Sequence, residues 1–252
     1  MGLARFLSLF SFLIETAHLF PALQALAIQA KVESLANVPG NETQIQPLVQ
    51  QLQTLVGSTI PPTPGLQLAA AHIYLQAGMK KEALSCVHEG STIEHLSVCI
   101  QIYIMIDRLD LAIQTFQKMK RLDDDSILTQ LGSVYISLAT GSSTAMDAIH
   151  TLTQLSEQYG PSTFLLNLMA CAYLQAGKYT DAESKLEQAR IEFNATNDVD
   201  TIVNLMVTNQ HQKKPNAEFV SQLQSTYPNH FVTQGIQTVQ GAFERESIKY
   251  RV

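Results

Sequence analysis

Cysteine is scarce in this chain of 252 residues: there are three, an odd count. No disulfide framework can be built on that number, and a reducing compartment suits it. Basic residues are few as well. Sixteen Lys and Arg stand against 22 Asp and Glu, for a net charge of −6. Basic runs are short, as in the pairs Lys80-Lys81 and Lys213-Lys214, which suit solvated helix ends. A nucleic-acid footprint needs a basic face, so nucleic acid is not an expected partner. Long apolar runs are lacking too. Residues 6–14 are strongly apolar, but Glu15 and His18 close the run well short of a membrane span.

Catalytic signatures are missing. Neither Gly78-Met-Lys-Lys nor Gly141-Ser-Ser-Thr continues into the Gly-Lys-Ser/Thr of a phosphate loop. There is no His-Glu-x-x-His helix and no Gly-x-Ser-x-Gly elbow. Cys86, His88, His95 and Cys99 are zinc-ligand types, but C-x-H and H-x-x-x-C match no common zinc spacing. Cysteine at helical positions usually serves as a small apolar filler, which favours core packing for this group. No catalytic residue, metal or cofactor is expected.

What the chain does contain is a repeat. Tyr-Leu-Gln-Ala-Gly stands at 74–78 and again at 173–177. Tyr74, Tyr103, Tyr135 and Tyr173 keep step with a second marker, Ala83, Ala112, Ala148 and Ala182. A period near 34 residues is that of a helix–turn–helix unit of the tetratricopeptide type. Small residues are needed where the two helices of a unit cross closely. The 12 Gly and 9 Pro lie mostly between predicted helices. The expected fold is therefore all-α, a tetratricopeptide-like right-handed helical solenoid, which offers a surface and no reactive group.

Four segments are expected. Residues 1–20 are an apolar stretch, which reads either as a helix covering the first repeat or as a secretory signal ending at Ala22-Leu23-Gln24-Ala25. Residues 21–60 hold degenerate helices over about 22–38 and 44–56, the second with Pro47 in its first turn. Residues 61–194 are the regular array, entered through Ile60-Pro-Pro-Thr-Pro-Gly65. In its third unit, residues 139–143 are expected to lengthen the turn between helices. Asp123, Asp124 and Asp125 precede a helix and suit a cap better than a calcium loop. Residues 195–252 hold a degenerate pair without the Gly and Ala markers, then a closing helix over 229–250 whose outer face should be polar. Two sequons, at Asn41 and Asn194, would matter only in a secreted chain.

In such arrays the first helix of each unit lines the concave face. Counted from the tyrosines, the lining is Leu68, His72, Leu75 and Gln76, then Ser97, Gln101, Ile104 and Met105. It continues with Thr129, Ser133, Ile136 and Ser137, then Asn167, Cys171, Leu174 and Gln175. No Lys or Arg is among them, which disfavours capture of a C-terminal carboxylate. A mixed apolar and amide lining suits an amphipathic helix or strand of a protein partner. Packing against the neighbouring unit is the other reading of the same positions.

The runs Ile106-Asp-Arg-Leu-Asp-Leu-Ala112, Leu122-Asp123-Asp124-Asp125, Leu128-Thr-Gln-Leu131 and Ile136-Ser-Leu-Ala-Thr-Gly141 resemble the epsilon subunit of coatomer. Leu165-Leu-Asn167, Ala182-Glu183, Val203-Asn204-Leu205, Ser221-Gln-Leu223 and Phe243-Glu-Arg245 continue the similarity, from about residue 21 to the C-terminus. The resemblance implies a non-catalytic scaffold that grips the C-terminal region of the alpha subunit, and through it the other coatomer subunits. It further implies a cytoplasmic chain, peripheral on Golgi membranes and coated vesicles, serving intra-Golgi and Golgi-to-endoplasmic-reticulum transport. Contact with membrane would be indirect. Family members usually begin with about two further helical repeats, which residues 1–20 do not resemble, so an altered N-terminus and a weakened partner grip are expected. A general tetratricopeptide adaptor and a secreted repeat protein are the alternatives.

Overall fold

The computed structural model describes residues 21–35, 42–58, 62–90 and 92–250, and the side chains of all but Glu42 and Thr43 among them. The apolar stretch at 6–14 and the Pro39-Gly40 helix stop lie outside the described residues. Within them every regular element is a helix. The first unit of the array begins after α1 (Pro21–Leu35) and α2 (Glu42–Ser58). Then come α3 (Pro64–Gln76), α4 (Lys80–Val87), α5 (Ile93–Met105), α6 (Leu109–Leu122), α7 (Ile127–Thr140) and α8 (Ala145–Tyr159). The chain continues with α9 (Thr163–Gln175), α10 (Tyr179–Glu192), α11 (Val199–His211), α12 (Ala217–Thr226) and α13 (Phe231–Ser247), with 3-10 turns at Ala195–Asn197 and Ile248–Tyr250.

Each repeat starts at a polar cap. Thr63 Oγ1 accepts from the Leu66 amide at 3.4 Å, Ser162 Oγ from Leu165 at 3.3 Å and Asp198 Oδ2 from Thr201 at 2.9 Å. Asp123 Oδ1 accepts from the amides of Asp125 and Ser126 at the entrance to α7. These oxygens satisfy amide donors that the first turn leaves without a partner.

Three units of the array turn in the same way. The Met79 amide donates to the Tyr74 carbonyl at 2.8 Å while Gly78 donates to Leu75 at 3.0 Å. The same pair of bonds recurs as Arg108 to Tyr103 with Asp107 to Ile104, and as Lys178 to Tyr173 with Gly177 to Leu174. This double bond needs a left-handed residue, supplied by Gly78 (φ 74°), Asp107 (φ 58°) and Gly177 (φ 71°). The tyrosine of each of these units thus accepts through its carbonyl in the turn and packs its ring against the core. Ala83, Ala112, Ala148 and Ala182, opening the second helices, are all fully buried.

Two expectations are corrected. Pro47 is the sixth residue of α2, beyond its first turn, because the helix starts at Glu42; one internal hydrogen bond is forfeited there. The extra length of the third unit is mostly helix: α7 runs five residues past Tyr135, whereas α3, α5 and α9 stop two past their tyrosines. The turn itself grows by one residue, and Thr144 Oγ1 pins it by donating to the Ser137 carbonyl at 2.8 Å. The pair α11–α12, which lacks the glycine marker, nevertheless has the repeat's turn. Lys214 donates to Asn209 and Lys213 to Gln210, with Lys213 itself left-handed at φ 59°.

The chain divides into two compact units, residues 1–132 and 133–252, with the division inside α7. The core of the first joins Ala25 and Val32 of α1, Leu52 of α2, Leu66, Ala70 and Ile73 of α3, Ala83 and Val87 of α4, and Cys99 and Ile102 of α5. In the second, Ala170 of α9, Ala182 and Leu186 of α10 and Leu205 of α11 are buried together, with Tyr173, Leu174 and Phe219 against them.

Candidate partner-binding faces

In the first unit the predicted lining falls on α3 and α5. Leu68, His72, Leu75, Gln101 and Ile104 are half-buried, while Gln76 and Met105 are exposed. Leu68 and Leu75 also pack on the core, so each presents one side outward. Met105 is 52% exposed. Its carbonyl accepts from Lys80 Nζ at 2.9 Å, which ties α4 to the end of α5. Gln76 borders a cleft of about 670 Å³ between α1, α2 and the α3–α4 turn, floored by Val32, Ile45 and Val49 and rimmed by Gln46, Gln50 and Gln53. None of the described residues that line it is charged, so these offer apolar surface and amides.

Two other positions in this unit face inward. Ser97 is buried, and Thr129 is 1% exposed, with Oγ1 donating to the Asp123 carbonyl at 2.7 Å. The Thr129 hydroxyl is thus engaged at the entrance of its own helix.

In the second unit Ser133, Ile136, Ser137 and Leu174 are half-buried. The polar residues of α9 look instead toward α11. Asn167 Nδ2 donates to the Thr163 carbonyl at 3.0 Å and to Thr201 Oγ1 at 2.8 Å, and its Oδ1 accepts from Asn204 Nδ2 at 2.9 Å. Thr201 Oγ1 in turn donates to Asp198 Oδ2 at 2.7 Å. The Cys171 thiol donates to Asn204 Oδ1 at 3.6 Å, and Gln175 Nε2 to the Leu138 carbonyl at 2.8 Å. For Asn167, Cys171 and Gln175 the neighbouring-helix reading describes what their polar groups do.

The four zinc-ligand types are dispersed. Cys99 lies in the core, His88 is near the surface beside Glu89, and His95 is buried. The His95 ring shares hydrogen bonds with Thr92 Oγ1 through Nδ1 at 2.7 Å and with Gln67 Oε1 through Nε2 at 3.2 Å. Among the described residues no group of three or more His, Cys, Asp or Glu could hold a metal ion. Burial pushes the Cys99 thiol up to about 11 and raises those of Cys86 and Cys171, so all three are protonated and poorly nucleophilic near neutrality. Among the described residues no helix is long and apolar enough to cross a membrane.

Sequence reasoning missed Asp198, Thr201 and Asn204 as the acceptors and donors that engage α9. Their signal was present, since Asp198 and Thr201 stand at the N-terminal cap of α11, but nothing in the sequence tied that cap to Asn167, 31 residues earlier.

The crystal structure of a tetratricopeptide repeat protein from Parabacteroides merdae is similar in fold, with a TM-score of 0.66 at 16% identity, over 90% of this chain and 96% of that one. The fold is thus all-α and tetratricopeptide-like. Coatomer subunit epsilon-1 of Oryza sativa subsp. japonica is 29% identical over 198 residues, 79% of this chain and 68% of that protein. Coatomer subunit epsilon-2 of Arabidopsis thaliana is 30% identical over 76% of this chain and 64% of its own length, and coatomer subunit epsilon of Dictyostelium discoideum 34% over 71% and 60%. The chain therefore spans about two thirds or less of the length of these curated relatives. A family model for the coatomer epsilon subunit matches residues 14–251, beginning seven residues before the similarity read from the sequence. With that match covering most of its length, the chain belongs to the coatomer epsilon subunit family.

Proposed function

We propose that this chain serves as a non-catalytic scaffold in the coatomer coat, holding the C-terminal region of the alpha subunit and, through it, the other coatomer subunits. Family membership over residues 14–251 carries this reading. The uncharged first-helix faces support it: Leu68, His72, Leu75, Gln76, Gln101, Ile104 and Met105 in the first unit, with Ser133, Ile136 and Leu174 in the second, suit an amphipathic protein segment. On this reading the protein is cytoplasmic and joins Golgi membranes and vesicles only as part of the coat, in intra-Golgi and Golgi-to-endoplasmic-reticulum transport.

The test is recovery of bound proteins from cytosol on the tagged 252-residue chain. Alpha subunit accompanied by other coatomer subunits is the expected result. Recovery of the other subunits without alpha, or of no coat component at all, would overturn the proposal.

A further inference from the structure

Helix α13 departs from the polar outer face expected of a closing helix. It carries an apolar seam that the rest of its unit leaves largely bare. Val232 and Ile236 are half-buried, whereas Val239 is 70% and Phe243 73% exposed. These four residues are spaced by 4, 3 and 4, the seam of a helix that pairs with another helix. Tyr250, seven residues past Phe243, is exposed as well.

Gly235 and Ala242, also seven apart, border the seam. Glycine inside a helix is destabilising relative to alanine. Yet nothing lies within 4 Å of where a Cβ on Gly235 would sit, so no contact inside the described chain calls for a bare backbone there. Beside an apolar seam, a bare backbone lets a second helix approach closely.

We propose that this seam joins two copies of the chain, paired antiparallel through α13. The 4-3-4 spacing reads the same from either end, which is what a two-fold contact of one surface with itself requires. Antiparallel pairing sets Phe243 against Val232 of the second copy, and Ile236 against its Val239. Charge favours the same direction. Residues 231–243 carry no charged side chain, while Glu244, Arg245, Glu246 and Lys249 follow. A parallel mate would lay Glu244 and Glu246 beside their own copies, whereas an antiparallel mate carries the two charged ends apart. Val239, Phe243 and Tyr250, with the exposed parts of Val232 and Ile236, supply on the order of 450 Å² per copy, about 900 Å² in all, the size of a weak and reversible contact.

Sedimentation equilibrium of the full chain tests this. A reversible monomer–dimer equilibrium at concentrations up to about 100 μM is expected. Phe243→Glu should raise the dimer dissociation constant at least about tenfold. Gly235→Leu should do the same by filling the gap, and it favours helix, so an unchanged or raised melting temperature separates it from a folding lesion. Chains carrying Ile236→Cys, mixed with chains carrying Val239→Cys, should cross-link on mild oxidation faster than either alone. A chain that stays monomeric, a dimer that Gly235→Leu leaves intact, or cross-linking no faster in the mixture than alone would each overturn the proposal. Covering of α13 by a different protein would show as the first of these.

Discussion

Asn204 Nδ2 donates to Asn167 Oδ1 at 2.9 Å across 37 residues of sequence, joining the first helices of two successive repeats by their side chains. Asn167 is 7% exposed, and Thr201 fully buried beside it. Removing one amide leaves buried polar neighbours without partners, at about 1–3 kcal/mol. Asn167→Ala should therefore lower the melting temperature by several degrees. Replacing Asn167 and Asn204 together by Leu should cost less than the two single Leu substitutions added, because both partners then leave at once. A thermal-denaturation double-mutant cycle measures the coupling, and additive effects would show that the pair does not act as a unit.

Gly90 and His95 form a second coupled pair. A Cβ on Gly90 would meet the His95 ring at 2.3 Å, so Gly90→Ala must displace a buried ring bonded to Thr92 and Gln67. Burial holds the His95 pKa below its ordinary value of 6.5, with Glu94 partly opposing the shift. The native state therefore binds this proton less readily than the unfolded chain does. The stabilisation is fully present above 6.5 and is lost as pH falls through the lower folded-state value. Melting temperatures at pH 7.5 and 5.5 should show a drop on acidification that His95→Gln diminishes. An equal drop in both chains would exclude His95 as its source.

What the sequence made legible follows from how local each signal is. Ala83, Ala112, Ala148 and Ala182 could be placed at helix crossings because a small side chain at a fixed offset from a tyrosine has few other uses, and all four are buried. The turn at Lys213 was hidden because its left-handed residue is a lysine, and a search for glycine passes it by. Asn167 and Gln175 occupy positions where a groove amide and an inter-helix amide look alike. What distinguishes them is the acceptor, Thr201 or the Leu138 carbonyl, and those lie 34 and 37 residues away in sequence. The lining residues that the structure leaves outward-facing are those for which no such remote partner had to be known.

Lys213 leads to a stability prediction of opposite sign. Its φ of 59° places a side chain where the backbone favours glycine, at a cost of about 1–2 kcal/mol. Lys213→Gly relieves that strain but enlarges the freedom of the unfolded chain by part of the same amount. The expected net gain is about 0.5–1 kcal/mol, or roughly 1–4 °C in melting temperature. Gly177→Ala, at φ 71° in the equivalent turn, should lower it. A loss on Lys213→Gly would mean that the lysine side chain contributes more to stability than the turn geometry costs.

The proposed grip on alpha can be separated from stability by choosing one exposed residue, Met105, and one buried residue, Asn167. Met105 is exposed and its side chain holds no hydrogen bond, so Met105→Glu should change stability by about 0.5 kcal/mol or less. In an apolar contact the same carboxylate would be buried without a partner, which should weaken binding to the alpha C-terminal region by at least about tenfold. Asn167→Ala should show the reverse, a lower melting temperature with affinity changed little once the chain is folded. Calorimetric titration of both variants with an alpha C-terminal fragment, at a temperature where both are native, makes the comparison. Undiminished affinity in Met105→Glu would remove the α5 end from the contact. Lost affinity in Asn167→Ala, with folding intact, would mean that the partner reaches the amides between α9 and α11.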